Sequence, residues 1–229
     1  MNQFPKLLTV IVPVYNEEKT IAKILDKIEA VSLPGWKKEI IIVNDGSTDQ
    51  TGAILKKLES RYLILRHPKN LGKGAAIKTA LAKTNGEYVL IQDADLEYDP
   101  ADWPKILKAL DEKTAAVYGS RNLGGAGRGY FHYYFGGRFL TLLTNFLFKS
   151  NLTDVNAGYK LFWTNILKSM DLKSRGFEFC EEVTCKILKN DGVIKEVSVS
   201  YKPRTFKEGK KITARDGLIG VWTIIKNRF

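Results

Sequence analysis

Three short polar and acidic clusters hold residues that can do chemistry together: Pro13-Val14-Tyr15-Asn16-Glu17, Asn44-Asp45-Gly46-Ser47 and Gln92-Asp93-Ala94-Asp95-Leu96-Glu97. Asp93 and Asp95 are two apart, so in extended chain both carboxylates point to the same side. Two such oxygens can hold one hard divalent cation, Mg or Mn. A cation there would neutralise a diphosphate leaving group as charge develops on it. Asp45 can accept from a ribose hydroxyl or a base N–H. The Asp93 stretch is not an EF-hand calcium loop, because Tyr98 and Pro104 stand where that loop needs Gly and Glu. Neither a G-x-G-x-x-G nor a G-x-x-x-x-G-K-[ST] phosphate loop is present.

Each cluster follows a short apolar run of the kind that forms a strand buried on both faces: 7–12, 39–43 and 88–91, with a further strand at 62–65. Between them, Ile21, Ile24, Leu25 and Ile28 fall on one helix face, as do Ile54, Leu55 and Leu58, and then Ala76, Ile77, Ala80 and Leu81. Strand and helix alternate with short connections, which predicts an α/β fold with a mainly parallel central sheet covered by helices on both faces. Ligands of such sheets bind outside the carboxyl ends of the strands, where all three clusters lie. The second half is less regular. It reads as a short helix at 106–110, a strand at 115–118, a glycine-rich loop at 124–129 with Arg128 inside it, and a helix at 135–148. A helix at 180–188, a strand at 193–201 and a last amphipathic helix at 218–225 follow. Residues 1–229 read as one domain.

The formal net charge is +11, which implies a polyanionic partner. It sits in two places. Residues 113–153 have no Asp or Glu and carry +5; residues 201–229 carry +6. Cys180 and Cys185 have no metal spacing and fit a reducing compartment. No secretory leader and no run of ~18 apolar residues is visible, so a cytoplasmic location is expected. Asn151-Leu152-Thr153 matches a glycosylation sequon without that secretory context, and His132 has no partner at metal or triad spacing.

Taken in order, these motifs resemble glycosyltransferase family 2 of the GT-A fold, close to the dolichyl- and polyprenyl-phosphate sugar synthases. The resemblance extends through Asn70-Leu71-Gly72-Lys73-Gly74, Gly119-Ser120-Arg121, Asp154 with Gly158-Tyr159-Lys160, Gly176-Phe177-Glu178-Phe179, and Tyr201-x-Pro203-Arg204 with Gly209-Lys210-Lys211. It implies a Rossmann-like nucleotide-sugar half at 1–120 and an acceptor-side half at 121–229. Pro13, Tyr15, Glu17, Asp45, Lys73, Arg204 and Lys210 would bind the donor, GDP-mannose or UDP-glucose, with Asp93, Asp95 and Glu97 as metal ligands. Family members often have Gln at the third ligand position, where this chain has Glu97, and Asn44 replaces the second carboxylate of the usual Asp-Asp turn.

A lipid-phosphate acceptor has a second pKa of about 6, so it is already a nucleophile and needs cations more than a base. Arg121, Arg128 and Arg138 are the expected acceptor-phosphate ligands, because a guanidinium binds phosphate through two parallel N–H donors. Asp95, Arg121 and Asp154 are the expected catalytic set. The apolar face within 130–148 is too short to span a bilayer and long enough to lie in its interface, though an ordinary packed helix has the same pattern. The expected enzyme is an inverting transferase at the cytoplasmic face of a membrane, with a membrane-embedded partner protein as one means of attachment. A transferase acting on a saccharide or protein hydroxyl is the alternative; it would need a carboxylate base, for which Asp154 and Glu181 are available. Nucleic acid is not an expected partner, because no RNP, KH or zinc pattern accompanies the charge.

Overall fold

Along β1 (Lys6–Val14), side chains alternate between two apolar layers. Leu8, Val10 and Val12 meet Ile21, Ile24, Leu25 and Ile28 of α1 (Ile21–Ala30) and Trp103, Ile106 and Leu107 of α4 (Trp103–Ala109). On the other face Ile11 joins Ile41 and Val43 of β2 (Trp36–Asn44) against Ala76, Ile77 and Ala80 of α3 (Lys73–Leu81). Phe179, Val183 and Ile187 of α7 (Phe179–Lys189) extend that second layer. The strands are therefore apolar on both sides, as a covered parallel sheet requires. The computed structural model describes residues 5–124, 131–205, 209 and 211–229, and only the backbone at 131–134.

The sheet has seven strands. In spatial order they are β3 (Leu63–Arg66), β2, β1, β4 (Tyr88–Ile91), β6 (Lys160–Trp163), β5 (Thr114–Ser120) and β7 (Val193–Ser198). The first four run parallel. Strand β6 is antiparallel to both β4 and β5, which restores the direction of β5 and of its parallel neighbour β7. The carboxyl ends of six strands and the amino end of β6 thus share one rim. Helices α2 (Thr51–Lys56) and α6 (Thr164–Ser169) complete the first-half and β6 connections. Helices α5 (Phe131–Phe148) and α8 (Ala214–Arg228) pack on α7 and on each other through Leu140, Cys185 and Ile224, with Leu143, Leu147 and Val221 beside them.

Strand β6 and helix α6 are absent from the sequence reading. β6 is only four residues long and opens on Lys160, which is fully buried. Its ammonium is accommodated by donating to the Val155 carbonyl at 2.8 Å and by lying 3.6 Å from the Tyr118 ring centroid. The strand expected at 193–201 ends at Ser198; Tyr201 makes only an isolated bridge to Tyr98. No helix among the described residues is long and apolar enough to cross a membrane.

Candidate active site

The shared rim encloses a cavity of about 900 Å³. Pro13, Tyr15 and Glu17 reach it from the end of β1, Asp45 from β2, Asp93, Asp95 and Glu97 from β4, and Arg121 from β5. Lys73 enters at the start of α3, and Arg204 and Lys211 come from the segment after β7. Of the expected site residues, Asp154 lies just beneath this lining. Arg138 sits on α5 but is not among the lining residues, although Gly136, Gly137 and Leu140 of the same helix are. Arg128 and Lys210 fall outside the described residues.

Opposite charges are paired across the cavity lining. Lys73 Nζ is 2.5 Å from Asp93 Oδ1. Burial disfavours the Lys73 ammonium, but the negative groups around it, Asp93 foremost, together outweigh burial and raise its pKa. Arg204 donates to both oxygens of Glu17 at 3.1 and 3.0 Å and to Asp95 Oδ2 at 3.2 Å. Lys211 donates to Glu17 Oε1 at 2.6 Å and to the Tyr15 carbonyl. The C-terminal basic segment therefore lies across the ends of β1 and β4. Burial, followed by the charges of Asp93 and Glu97, pushes the Asp95 carboxyl up to about 7 despite Arg204.

Asp93 and Asp95 both line the cavity, with Lys73 and Arg204 as their countercharges, and two carboxylates are a donor set that suits a hard divalent ion. The expected third ligand is otherwise engaged. Glu97 Oε1 accepts the Arg204 backbone N–H at 2.7 Å, and Oε2 accepts the Tyr201 hydroxyl at 3.1 Å. Among the described residues no three carboxylates, cysteines or histidines converge as a metal cluster, so Asp93, Asp95 and Glu97 do not form the expected trio here. Glu97 instead anchors the C-terminal segment. Gly158 lets the backbone before β6 close on the acidic pair; a Cβ there would meet Asp93 Oδ2 at 2.7 Å.

Arg121 is held in a fork. Its Nε and Nη2 each donate to Asp154 at 2.7 Å, and its backbone N–H donates to Asp154 at 3.1 Å. Burial would raise the Asp154 pKa, but the Arg121 charge and hydrogen bonds hold it below its ordinary value. The outer face of the guanidinium lies 5.2 Å from the Tyr201 ring centroid. Asp154 is itself positioned by Glu196, whose carboxylate accepts the Thr153 and Asp154 amides at 2.6 and 2.8 Å.

His67 is a residue the sequence reading missed. It directly follows β3, at the same strand-end position as the three polar clusters. Its Nδ1 lies 2.6 Å from Asp45 Oδ1 and its Nε2 2.9 Å from the Thr79 hydroxyl of α3. A carboxylate only accepts, so Nδ1–H donates to Asp45, and the Thr79 hydroxyl holds the other ring nitrogen. Asp45 also accepts the Leu71 and Gly72 amides at 2.9 and 2.8 Å. Asp45 is thus a clamp on the turn that delivers Lys73, and His67 steadies the clamp. His67→Ala is expected to lower stability by about 1–3 kcal/mol, because Asp45 and Thr79 lose a buried partner. It should raise KM for the donor more than it lowers kcat; thermal melts and steady-state kinetics check both, and an unchanged KM would remove the clamp from donor binding.

A second buried pair lines the cavity. Asn156 Nδ2 donates to Glu181 Oε1 at 2.5 Å, while Asn156 Oδ1 and Glu181 Oε2 have no hydrogen-bond partner among the described residues. Burial pushes the Glu181 carboxyl up to about 7 against that hydrogen bond. The unfolded chain ionises Glu181 near 4.5, so between pH 4.5 and 7 the folded state loses relative stability, by roughly 3 kcal/mol in all. Glu181→Gln is expected to melt higher than the parent at pH 8, with the gap closing near pH 4.5; a pH-independent gap would contradict the burial of this acid.

The chain matches the glycosyl transferase family 2 model over residues 9–170. It is 30% identical over 201 residues to a low-salt glycan biosynthesis hexosyltransferase of Haloferax volcanii, covering 86% of this chain and 48% of that protein. It is also 30% identical over 213 residues to a dolichyl-phosphate beta-glucosyltransferase of Trichomonas vaginalis, covering 83% and 64%. The chain therefore spans about half to two thirds of the length of these two relatives. Among solved structures it superposes on glucosyl-3-phosphoglycerate synthase of Mycobacterium tuberculosis in complex with UDP, with TM-score 0.77, 19% identity, and coverage of 97% of this chain and 80% of that one. The same enzyme crystallised with Mn2+, UDP and phosphoglyceric acid gives TM-score 0.75 at 19% identity, with coverage of 97% and 78%. Motifs, mainly parallel sheet and family match agree: this chain has the GT-A fold and belongs to glycosyl transferase family 2.

Proposed function

We propose that this protein transfers one sugar, mannose or glucose, from a nucleotide-diphosphate donor to polyprenyl or dolichyl phosphate, with inversion at the anomeric carbon. The observation that carries the reading is the polarity of the cavity. An acidic pair, Asp93 and Asp95, and the Arg121 guanidinium, held in a fork by Asp154, line the same cavity. Pro13, Tyr15, Glu17 and Asp45 border the nucleoside end. A bound Mg or Mn ion would supply Lewis-acid stabilisation of the departing diphosphate, with Asp93 and Asp95 as its protein ligands. Crystals of the neighbouring synthase contain Mn2+ with UDP, which is consistent with this role.

In the reaction, an oxygen of the acceptor phosphate forms a bond to the anomeric carbon. The bond from that carbon to the donor's β-phosphate oxygen breaks, and the nucleoside diphosphate leaves with the electron pair. Arg121 orients the acceptor and offsets its repulsion from the diphosphate, while Lys73 and Arg204 stand beside the carboxylates where the leaving charge collects. No base is needed, since the acceptor is already anionic near neutrality. Such an acceptor is embedded in a membrane, so the enzyme works at a membrane surface, on the cytoplasmic side where its donor is found; attachment through a membrane-embedded partner protein is compatible with this.

Glu181 supports a second reading, transfer to a saccharide or protein hydroxyl. It lines the cavity, has an unpartnered oxygen among the described residues, and has a carboxyl pushed up to about 7, so its ionised form near neutrality is basic enough to take the proton of a hydroxyl acceptor. Asp154 is unsuited to that role because both its oxygens are bound to Arg121. The deciding experiment incubates the protein with Mn or Mg, a panel of nucleotide sugars, and short-chain polyprenyl phosphate or soluble saccharides. A glycolipid product is expected. Transfer only to a soluble hydroxyl, abolished by Glu181→Gln, would establish the second reading instead.

A further inference from the structure

Asn156 Oδ1 and Glu181 Oε2 are buried oxygens with no hydrogen-bond partner among the described residues, and both residues line the cavity. Glu181 is 2% exposed, so bulk solvent does not supply the missing donor. A buried acceptor left unpaired is costly, and native folds rarely keep one without a use. The acid is also fixed in place. Its Oε1 accepts from Asn156 Nδ2 at 2.5 Å, and α8 closes on that same oxygen, which a Cβ at Gly220 would meet at 3.0 Å. Oε2 is the oxygen left over.

Open space adjoins the pair. Gly136 and Gly137 of α5 and Gly217 of α8 line the cavity, and a Cβ at any of the three would meet no described atom within 4 Å. The pair also adjoins the residues assigned to the departing diphosphate. Asn156 is two residues before Gly158, where a Cβ would meet Asp93 Oδ2 at 2.7 Å. Cys180, the residue before Glu181, lies within electrostatic reach of Lys73 and Asp93. A donor whose diphosphate sits at Asp93 and Asp95 therefore brings its next group, the transferred sugar, toward Asn156 and Glu181.

We propose that Asn156 and Glu181 read the transferred sugar, each accepting a hydrogen bond from one of its hydroxyls. The proposal rests on the sugar-transfer reading above and gives Glu181 a place on the donor sugar instead of a role as base. A hydroxyl fits because it donates to an acceptor that has no other partner, and the glycine-walled space admits the ring that bears it. Two fixed acceptors also discriminate. A sugar lacking either hydroxyl leaves a buried oxygen unpaired in the complex, and sites built in this way reject the deoxy analogue strongly.

The test measures donor binding by calorimetry with Mn, and transfer to short-chain polyprenyl phosphate, both at pH 8. The donors are UDP-glucose, GDP-mannose and their analogues deoxygenated at C3, C4 or C6, with bare UDP and GDP as controls. For the donor that the parent uses, at least one deoxy analogue is expected to bind more weakly and to lose about 10²-fold or more in kcat/KM. In Asn156→Leu with Glu181→Met both polar partners are replaced together, so the melting temperature should stay near that of the parent. This variant should bind the bare nucleoside diphosphate as the parent does and the sugar nucleotide more weakly. It should treat hydroxyl and deoxy donors alike to within about threefold, because no acceptor remains to be left unpaired. Should it fail to fold, Glu181→Gln serves, and a neutral amide in place of the charged acceptor should narrow the discrimination about tenfold. A parent that treats all the donors alike, or parent-like discrimination in a folded variant, overturns the proposal. So does an equal loss of affinity for nucleoside diphosphate and sugar nucleotide, since the pair would then only shape the site. The calorimetric comparison needs no acceptor. Sugar-selective binding without transfer to polyprenyl phosphate would refute the function proposed above and leave the pair standing.

Discussion

Replacing Asp95 by Asn is expected to lower turnover about 10²–10³-fold or more while leaving the fold intact, because a charge-stabilising group acting on the leaving group is worth that much. The side chain is isosteric, so packing in the cavity is kept. What changes is charge. Asp95 sits against Asp93 and Glu97, and burial with those neighbours already holds its carboxyl up to about 7. Removing its charge relieves that crowding and costs only the 3.2 Å contact with Arg204, which keeps both Glu17 contacts. Thermal stability should therefore change little, and the loss should appear in kcat and in titration of Mn by calorimetry or paramagnetic resonance. Full activity in Asp95→Asn would exclude the acidic pair from the chemistry. Unchanged Mn affinity with lost activity would keep Asp95 in the reaction and remove it from metal binding.

Asp154→Asn is expected to be the most destabilising single change in the site, at about 3–5 kcal/mol. It leaves the Arg121 guanidinium in a mostly enclosed position without its countercharge. The same pair sets an acid limit. The Asp154 pKa is lower in the fold than in the unfolded chain, so the pair's stabilisation is present above the unfolded value and is lost as pH falls through the folded one. Chemical denaturation of the parent and of Asp154→Asn should therefore converge at low pH. Function separates from stability in the double variant Arg121→Met with Asp154→Leu. Replacing both charges removes the uncompensated ion and should recover much of the stability, yet transfer should stay at the background level because no fork remains for the acceptor phosphate. Recovery of activity along with stability would reduce Arg121 to a structural role. Arg121→Lys should be nearly as inactive, since an ammonium cannot bind Asp154 and a phosphate through paired parallel donors.

The first half of the fold was legible because the central residues of β1, β2 and β4 are buried on both faces. Runs such as Ile40-Ile41-Ile42-Val43 have no polar side and can only be central strands, and each is followed at its carboxyl end by the polar residues that line the cavity. Period and chain order were enough to bring Glu17, Asp45, Asp93 and Asp95 to one rim. Strand β6 was not legible, because its four residues begin with a charge whose burial depends on the nearby Val155 carbonyl and on the ring of Tyr118 from β5, a contact that no local pattern announces. His67 was legible in principle by the same strand-end rule, applied to β3.

By itself the sequence determined the family, the α/β class, the parallel first half and the residue types gathered at the strand ends, since these depend on local periodicity and motif order. Tertiary structure alone decided which of those residues engage each other. It committed Glu97 to Arg204 and Tyr201, made Asp45 a clamp fastened by His67, and closed Arg121 onto Asp154. It also placed α8 beside α5, with residues of both helices lining the cavity. The physical reason is the range of the interactions. Strand and helix preference is set within a few residues, whereas a hydrogen bond or ion pair between positions 97 and 204 exists only once the sheet has ordered its strands.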